Sequence, residues 1–172
     1  MLETLITSKT RLKLLLKFFL NPESKGYLRS LESEFKESTN GIRLELNRFE
    51  DAGMLVSQMK GNKKIFQANK SHPLFNQLQI IIHNYVGLDR IIDHVVVKLG
   101  NVELVYLVGD FAKGVDGSFI DLVIVGGVDE QYLKRLIKKV ELVISKKINY
   151  QVYINTKFNA DNFESKLLIW NS

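Results

Sequence analysis

Cysteine is absent from the 172 residues of this sequence, which excludes disulfide bonds, thiolate catalysis and cysteine-based zinc sites. Histidine is scarce, and His72, His83 and His94 lack the spacing of a zinc site. No apolar run reaches the roughly 20 residues that a membrane-spanning helix needs. The first residues, MLETLITSKTRLK, lack a signal-peptide pattern. We therefore expect a cytoplasmic protein that uses no metal and no other cofactor.

Acidic residues are missing between Asp51 and Asp89, an interval that contains Lys60, Lys63, Lys64 and Lys70. Residues 1–70 contain 13 Lys+Arg and 8 Asp+Glu, whereas residues 71–172 contain 11 of each, so the net charge of +5 belongs to the first part. This asymmetry favours a polyanionic partner for the N-terminal part. Ordinary solvated lysines are the alternative interpretation.

The N-terminal part reads as three helices followed by a β-hairpin. Periodic apolar residues predict helices over Lys9–Leu20 and Tyr27–Phe35. The polar stretch around Ser38 predicts the start of a third helix, which reaches about Ala52 and buries Ile42, Leu46 and Phe49. We place Glu45 on another face of this helix. The hairpin is predicted to comprise Met54–Met59, a turn at Gly61–Asn62, and Lys64–Ala68.

The stretch STNGIRLELNRFEDAGMLVSQMKGNKKIFQANKSHPLF resembles the recognition helix and wing of bacterial repressors of the ArsR type. The resemblance covers about residues 8–75 and implies a winged helix-turn-helix that binds double-stranded DNA. In such a site arginine pairs with guanine and asparagine with adenine, while lysines of the wing contact phosphates. The predicted DNA-binding residues are Thr39, Asn40, Arg43, Asn47, Arg48, Lys60, Asn62, Lys63 and Lys64. A protein-interaction module is the alternative, and Glu45 is expected to contact cytosine or to support Arg43 or Arg48.

The segment from Pro73 to Leu99 is predicted to be mostly helical, with a break at Gly87. It carries more apolar residues than one stripe facing one small domain requires. We therefore expect some of them to pack across domains or across a two-fold axis, and we predict a homodimer.

Residues 104–125, LVYLVGDFAKGVDGSFIDLVIV, contain two buried strands, Leu104–Val108 and Ile120–Val125, with a glycine-rich turn and a short helical turn between them. This stretch resembles the signature of the minimal nucleotidyltransferases. The matching positions are Gly109, Ala112, Gly114, Ser118 and Asp121. The resemblance implies a vestigial nucleotide site made of Gly109, Asp110, Lys113, Gly114, Ser118 and Asp121, and a purely structural turn is the alternative.

Two positions depart from that signature and bear on catalysis. Asp110 replaces the expected serine, and Phe119 replaces the expected first metal-binding aspartate. Nucleotidyl transfer in these proteins uses two cations held by convergent carboxylates, and an aromatic ring cannot bind one. A third carboxylate normally comes from a following strand, but NYQVYIN, residues 149–155, contains none. The sequence therefore predicts a domain without enzymatic activity.

The remainder is predicted as an amphipathic helix over Asp129–Lys147, a strand over Tyr150–Ile154, and a last helix over Asn159–Trp170. Tyr132 and Val143 are expected to point inward on the first of these helices. The resulting order is strand–helix–strand–helix–strand–helix, which agrees with a truncated nucleotidyltransferase core.

The predicted fold is α+β and has three parts. A winged helix-turn-helix occupies residues 1–72, a helical linker and dimerisation segment occupies residues 73–99, and a small nucleotidyltransferase-like α/β domain occupies residues 100–172. The predicted function is DNA-binding transcriptional regulation, with a catalytically degenerate C-terminal domain that serves sensing, dimerisation or interaction through a nucleotide or protein effector. The alternative is an active nucleotidyltransferase, of the kind found in toxin–antitoxin pairs, with a winged-helix targeting module.

Overall fold

The computed structural model describes residues 2–172 and divides into two compact units with a mixed α+β fold. The first unit comprises the chain up to Ile82 together with Gly114–Asp116. The second comprises His83–Lys113 and Gly117–Ser172. In the part of the chain that begins at Leu2, no helix combines the length and apolar character needed to cross a membrane.

The first unit contains the helices that the apolar periodicity predicts and one further short helix, α1. They are α1 (Leu2–Leu5), α2 (Lys9–Leu15), which continues as a π-helical turn over Leu16–Leu20, α3 (Leu28–Phe35), α4 (Thr39–Asp51) and α5 (Phe75–Val86). Helix α4 begins at the predicted polar stretch, because the Ser38 side chain accepts a hydrogen bond from the Gly41 backbone N–H at 3.2 Å. Its predicted stripe of Ile42, Leu46 and Phe49 is buried.

A small antiparallel sheet completes the first unit. It consists of β1 (Lys25–Gly26), β2 (Leu55–Lys60) and β3 (Lys63–Ala68) in the order β1-β3-β2. Strands β2 and β3 form the predicted hairpin, in which Lys60 pairs with Lys63 across the turn. Gly61 adopts φ 61° there, a left-handed conformation that favours glycine.

The second unit begins with the end of α5 and a helical segment that starts after Gly87. This segment consists of α6 (Leu88–Ile91), a π-helical turn over Ile92–Val96, and α7 (Val97–Leu99). Gly87 has φ 94°, and a Cβ atom there would lie 2.8 Å from Ile144 Cγ2. The predicted break at Gly87 is therefore confirmed, and both the backbone conformation and the close packing require glycine.

A four-stranded sheet forms the core of the second unit. Its strands are β4 (Val102–Val108), β5 (Phe119–Gly126), β6 (Lys147–Tyr153) and β7 (Lys166–Asn171). The short helix α8 (Gly109–Ala112) follows β4, and the helix α9 (Glu130–Ile144) connects β5 to β6. The strand order is β6-β5-β4-β7, in which β5 and β6 are parallel and the other pairs antiparallel. This register places Asp121 of β5 directly opposite Asn149 of β6.

The prediction of a final helix over Asn159–Trp170 is wrong. Short 3₁₀ turns cover Asn155–Lys157 and Ala160–Asn162, and the apolar run that follows forms β7 against β4. The rings of Phe158 and Phe163 pack over Tyr106 and Tyr153 on the sheet instead of continuing a helical stripe. The predicted alternating order of strands and helices therefore ends with two successive strands, because the edge of β4 pairs with this apolar segment.

Helix α9 matches its prediction in position but not in every buried residue. Leu133, Leu136, Ile137 and Val140 are buried, as expected from the helical period. Tyr132 and Val143, which were expected to point inward, are exposed. The buried stripe is thus narrower than the sequence indicates, and an apolar strip of α9 remains in contact with solvent.

Candidate functional site

A groove of about 460 Å³ lies in the first unit, beside the start of α3, one face of α4 and the tip of the β2–β3 hairpin. No carboxylate is among the described residues that line it, whereas four of them carry a positive charge. The lining residues are Tyr27, Leu28, Arg29, Arg43, Leu46, Asn47, Asn62, Lys63, Lys64 and Phe66. Such a groove suits an anionic ligand.

Five of the predicted DNA-binding residues converge on this groove. Arg43 and Asn47 come from α4, one turn apart, and both are exposed. Asn62, Lys63 and Lys64 come from the hairpin. The other four predicted residues, Thr39, Asn40, Arg48 and Lys60, do not line it.

Two lining residues, Tyr27 and Arg29, were missed by the sequence analysis. Tyr27 precedes the first turn of α3, and its ring lies 4.4 Å from the Lys63 Nζ atom. A tyrosine at the start of a helix reads as a core residue from periodicity alone. Only its closeness to a lysine 36 positions later reveals its role in the groove, because a cation over an aromatic face is held there electrostatically.

The three lysines around the hairpin turn have different environments. Lys64 forms an ion pair with Glu50, which also accepts a hydrogen bond from Ser57. These hydrogen bonds, first that from Lys64, hold the pKa of Glu50 below its usual value. Lys63 lies over Tyr27, whereas Lys60 is exposed and forms no ion pair with a described residue. Of these three lysines, Lys60 and Lys63 are therefore the ones whose charge is mainly available to an anion.

Glu45 differs most from its prediction, since it is buried rather than placed on an outer face of α4. Its carboxylate accepts hydrogen bonds from Arg11 Nε at 2.8 Å and Nη2 at 3.1 Å, and from Arg48 Nη1 at 3.0 Å. Burial raises the pKa of Glu45, but the hydrogen bonds and charge of Arg11, followed by those of Arg48, outweigh it and leave the pKa below its usual value. Glu45 thus joins α2 to α4 and holds Arg48, and it is not available to contact a base.

Arg43 is the clearest contrast to Arg48 on the same helix. Arg48 is bound to Glu45, whereas Arg43 forms no hydrogen bond or ion pair with any described residue through its side chain. An exposed guanidinium with five unsatisfied donors is well suited to bidentate recognition of an acceptor pair. Arg48 is exposed but has one donor bound to Glu45, whereas Arg43 has all five donors available to an external ligand.

A second candidate site surrounds the turn after β4, in the second unit. Gly109 has φ 67°, and a Cβ atom there would lie 2.7 Å from Asp121 Oδ2. The other Asp121 oxygen, Oδ1, accepts a hydrogen bond from Asn149 Nδ2 at 2.9 Å. A Cβ atom at Gly117 would similarly lie 3.3 Å from Asp110 Oδ2. The loop therefore packs its glycines against two carboxylates.

The other predicted members of this site have different surroundings. Gly114 is buried and belongs to the first unit, and Ser118 is exposed. Lys113 lies 3.8 Å from Glu164. Phe119 is 49% exposed. Within residues 2–172, no group of three or more His, Cys, Asp or Glu side chains is placed to hold a metal ion.

No family model matches the sequence, and no curated protein matches it. Three solved structures are similar to part of the chain. A mutant form of the MntA–HpeT toxin–antitoxin complex has a TM-score of 0.40 and 14% identity, covering 49% of this chain and 73% of that chain. The Archaeoglobus fulgidus protein AF1382 has a TM-score of 0.38 and 19% identity, covering 54% and 94%.

The third is a protein from Sulfolobus solfataricus assigned as a nucleotidyltransferase, with a TM-score of 0.37 and 27% identity, covering 52% of this chain and 82% of that chain. All three TM-scores are low. The similarity therefore assigns neither a family nor an activity to this chain, and the chemistry of its sites has to be argued from their own residues.

Replacement of Glu45 by glutamine is expected to lower the free energy of unfolding by about 1–3 kcal/mol at neutral pH, because charged hydrogen bonds from Arg11 and Arg48 are lost. The pKa of Glu45 is lower in the folded state than its ordinary value of 4.5. The stability that the ionised carboxylate contributes is therefore fully present at pH values above 4.5 and is lost as the pH falls through the folded-state pKa. Urea unfolding at about pH 7 and about pH 3.5 should therefore show a difference between wild type and Glu45→Gln that shrinks in acid.

The control is Glu130→Gln at an exposed position in the first turn of α9. This variant should unfold almost as the wild type does at both pH values. An equal loss for Glu45→Gln at both pH values would contradict the role of its charge.

Proposed function

We propose that this protein is a transcriptional regulator whose first unit is a winged helix-turn-helix that binds double-stranded DNA. The observation that carries the proposal is the groove in which Arg43 and Asn47 of α4 lie beside Asn62 and Lys63 of the hairpin, with no lining carboxylate. Helix α4 acts as the recognition helix and the hairpin as the wing. The positive net charge of residues 1–70 supplies long-range attraction to the phosphate backbone.

In the proposed complex, α4 enters the major groove with Arg43 and Asn47 towards the bases. Their spacing of four residues puts both side chains on one face, where arginine suits guanine and asparagine suits adenine. Lys60 and Lys63 of the wing contact phosphates, which are independent of sequence. The buried Glu45 keeps α4 anchored to α2 through Arg11 and thereby fixes the angle at which α4 is presented.

The second unit is proposed to be catalytically degenerate and to serve sensing, dimerisation or interaction. Two cations need convergent carboxylates. In β5 the position two residues before Asp121 is Phe119, and the residue opposite Asp121 in β6 is Asn149, whose amide bonds to that carboxylate. An aromatic ring and an amide nitrogen therefore occupy positions adjacent to the single carboxylate of the strand.

The proposed DNA binding predicts that Arg43→Ala and Lys60→Ala weaken the affinity for DNA in different ways. For a duplex selected from genomic fragments, Arg43→Ala should lower affinity by about 1–3 kcal/mol and relax the preference at one base position. Lys60→Ala should weaken binding to all duplexes alike and reduce the dependence of affinity on salt by about one phosphate contact. Gel-shift and anisotropy titrations at several salt concentrations measure both effects.

Arg43 has no intramolecular partner among the described residues, so its replacement leaves folding intact, and circular dichroism provides the check. Arg135→Ala on the exposed face of α9 is the matched arginine control and should leave DNA affinity unchanged. Equal losses across all duplexes for Arg43→Ala would refute its role in reading bases. Absence of salt-sensitive binding to any duplex would refute the proposal itself.

A homodimer belongs to the proposal because winged-helix regulators read paired half-sites. Residues 71–88 contain no Asp, Glu, Lys or Arg, and Leu74 and Ile81 of this segment are 56% and 47% exposed. An uncharged face with exposed apolar side chains lets two identical copies meet without charge repulsion. Ile81→Glu is therefore expected to convert a dimer to a monomer in sedimentation velocity, whereas Leu142→Glu, at a position 85% exposed on α9, should not. A monomeric wild-type protein at about 50 µM would contradict the dimer.

The second candidate function is an active nucleotidyltransferase, which the closeness of Asp121 to the Gly109 turn favours. Calorimetry with ATP or GTP and magnesium discriminates between the two functions. The regulator proposal predicts no transfer of a nucleotide and equal behaviour of wild type and Asp121→Ala. Binding together with transfer that is lost in Asp121→Ala but retained in Asp93→Ala, an exposed control, would establish the enzyme instead.

A further inference from the structure

A second groove, of about 210 Å³, lies in the second unit between α9 and the helical segment that ends with α7. It shares no lining residue with the groove proposed to bind DNA, and Gly109 does not line it. Its lining residues are His94, Lys98, Tyr132, Leu136, Lys139, Val140 and Val143. No role in DNA binding or nucleotide binding involves any of them.

The floor and walls of this groove are apolar. Leu136 and Val140 are nearly buried and form the floor, while Tyr132 and Val143 are 36% and 62% exposed. The helical pattern assigns Tyr132 and Val143 to the core, together with residues that are buried, but these two remain uncovered. The groove thus offers an apolar contact surface that the chain itself does not fill.

The rim of the groove is positively charged and unpaired. Lys98 and Lys139 are exposed and form no ion pair with a described residue, in contrast to Lys147 and Lys166, which are paired with Glu141 and Asp161. None of the Asp and Glu side chains that the structure describes lines the groove. An apolar floor between two unpaired cations is complementary to a ligand with an apolar stripe flanked by acidic groups.

Three kinds of occupant satisfy only part of this pattern. A nucleic acid would use Lys98 and Lys139 but would leave the aliphatic floor without a partner. A second copy of the chain, meeting this surface across a two-fold axis, would bring Lys98 and Lys139 towards their own counterparts. A neutral apolar segment would bury the floor but would leave Lys98 and Lys139 beside it without acidic partners.

We propose that this groove binds an acidic amphipathic helix of a partner protein. Apolar residues of that helix, spaced three and four positions apart, pack on Leu136 and Val140 between the side chains of Tyr132 and Val143. Its Asp or Glu side chains lie beside Lys98 and Lys139. The lining residues of this groove differ from those of the groove proposed to bind DNA, so the partner helix and the DNA would contact different side chains.

The probe is a fluorescein-labelled peptide of about 18 residues, long enough to form a helix, that carries leucines at helical spacing and glutamates between them. Fluorescence anisotropy with the full chain should show saturable binding. Lys139→Glu and Val143→Asp should each weaken it at least about tenfold, since one removes the charge partner and the other the apolar wall. Lys134→Glu, on the same helix but outside the groove, should leave it unchanged.

Both affected positions are exposed, so the variants keep the fold, and Val143→Met should retain binding because it conserves the apolar contact. Binding of a peptide with lysines in place of glutamates, or equal binding of a peptide interrupted by proline, would overturn the proposal. So would a wild-type dimer that Val143→Asp dissociates, since the occupant would then be a second copy. Failure to bind DNA leaves this test unaffected.

Discussion

The buried carboxylate of Glu45 is the interaction on which the candidate DNA interface depends. It lies inside the first unit and accepts hydrogen bonds from Arg11 and Arg48. A buried charge without partners would strongly destabilise the unit, so Arg11 stabilises the packing of α2 on α4. Arg48 donates one hydrogen bond to the same carboxylate, whereas Arg43 and Asn47 line the groove. The ion pairs of Glu45 thus involve Arg11 and Arg48 and leave Arg43 without a bond to a described residue.

In the second unit, the pairing of β5 with β6 sets the chemistry of the Gly109 turn. The parallel register puts Asn149 opposite Asp121, and the amide satisfies one oxygen of that carboxylate. Gly109 leaves room for the other oxygen, because any side chain there would clash with it. The Gly109 turn and the Asp121 carboxylate therefore pack against each other. Phe119 extends this surface as an exposed ring.

Local sequence patterns predicted most of the helices and strands, but not which of them pack or pair with each other. The hairpin, α4, the break at Gly87 and the two central strands follow from turn residues and apolar periods, which act over a few residues. The prediction of a helix for the final segment failed because Leu167–Trp170 is apolar without a clear period. Pairing with the edge of β4 made this segment a strand. Tyr27 and Arg29 were missed for a related reason, since their neighbour Lys63 is far away in sequence.

The sequence by itself determined the positive charge of residues 1–70, the positions of α4 and of the hairpin, and the presence of Phe119 two residues before Asp121. These are properties of composition and short-range order. The tertiary structure alone decided that Glu45 is buried, that Arg43 rather than Arg48 lines the first groove, and that Tyr132 and Val143 line the second. Glu45 meets Arg11 across 34 positions of the chain. Contacts at such separations depend on how helices pack, which no local period encodes.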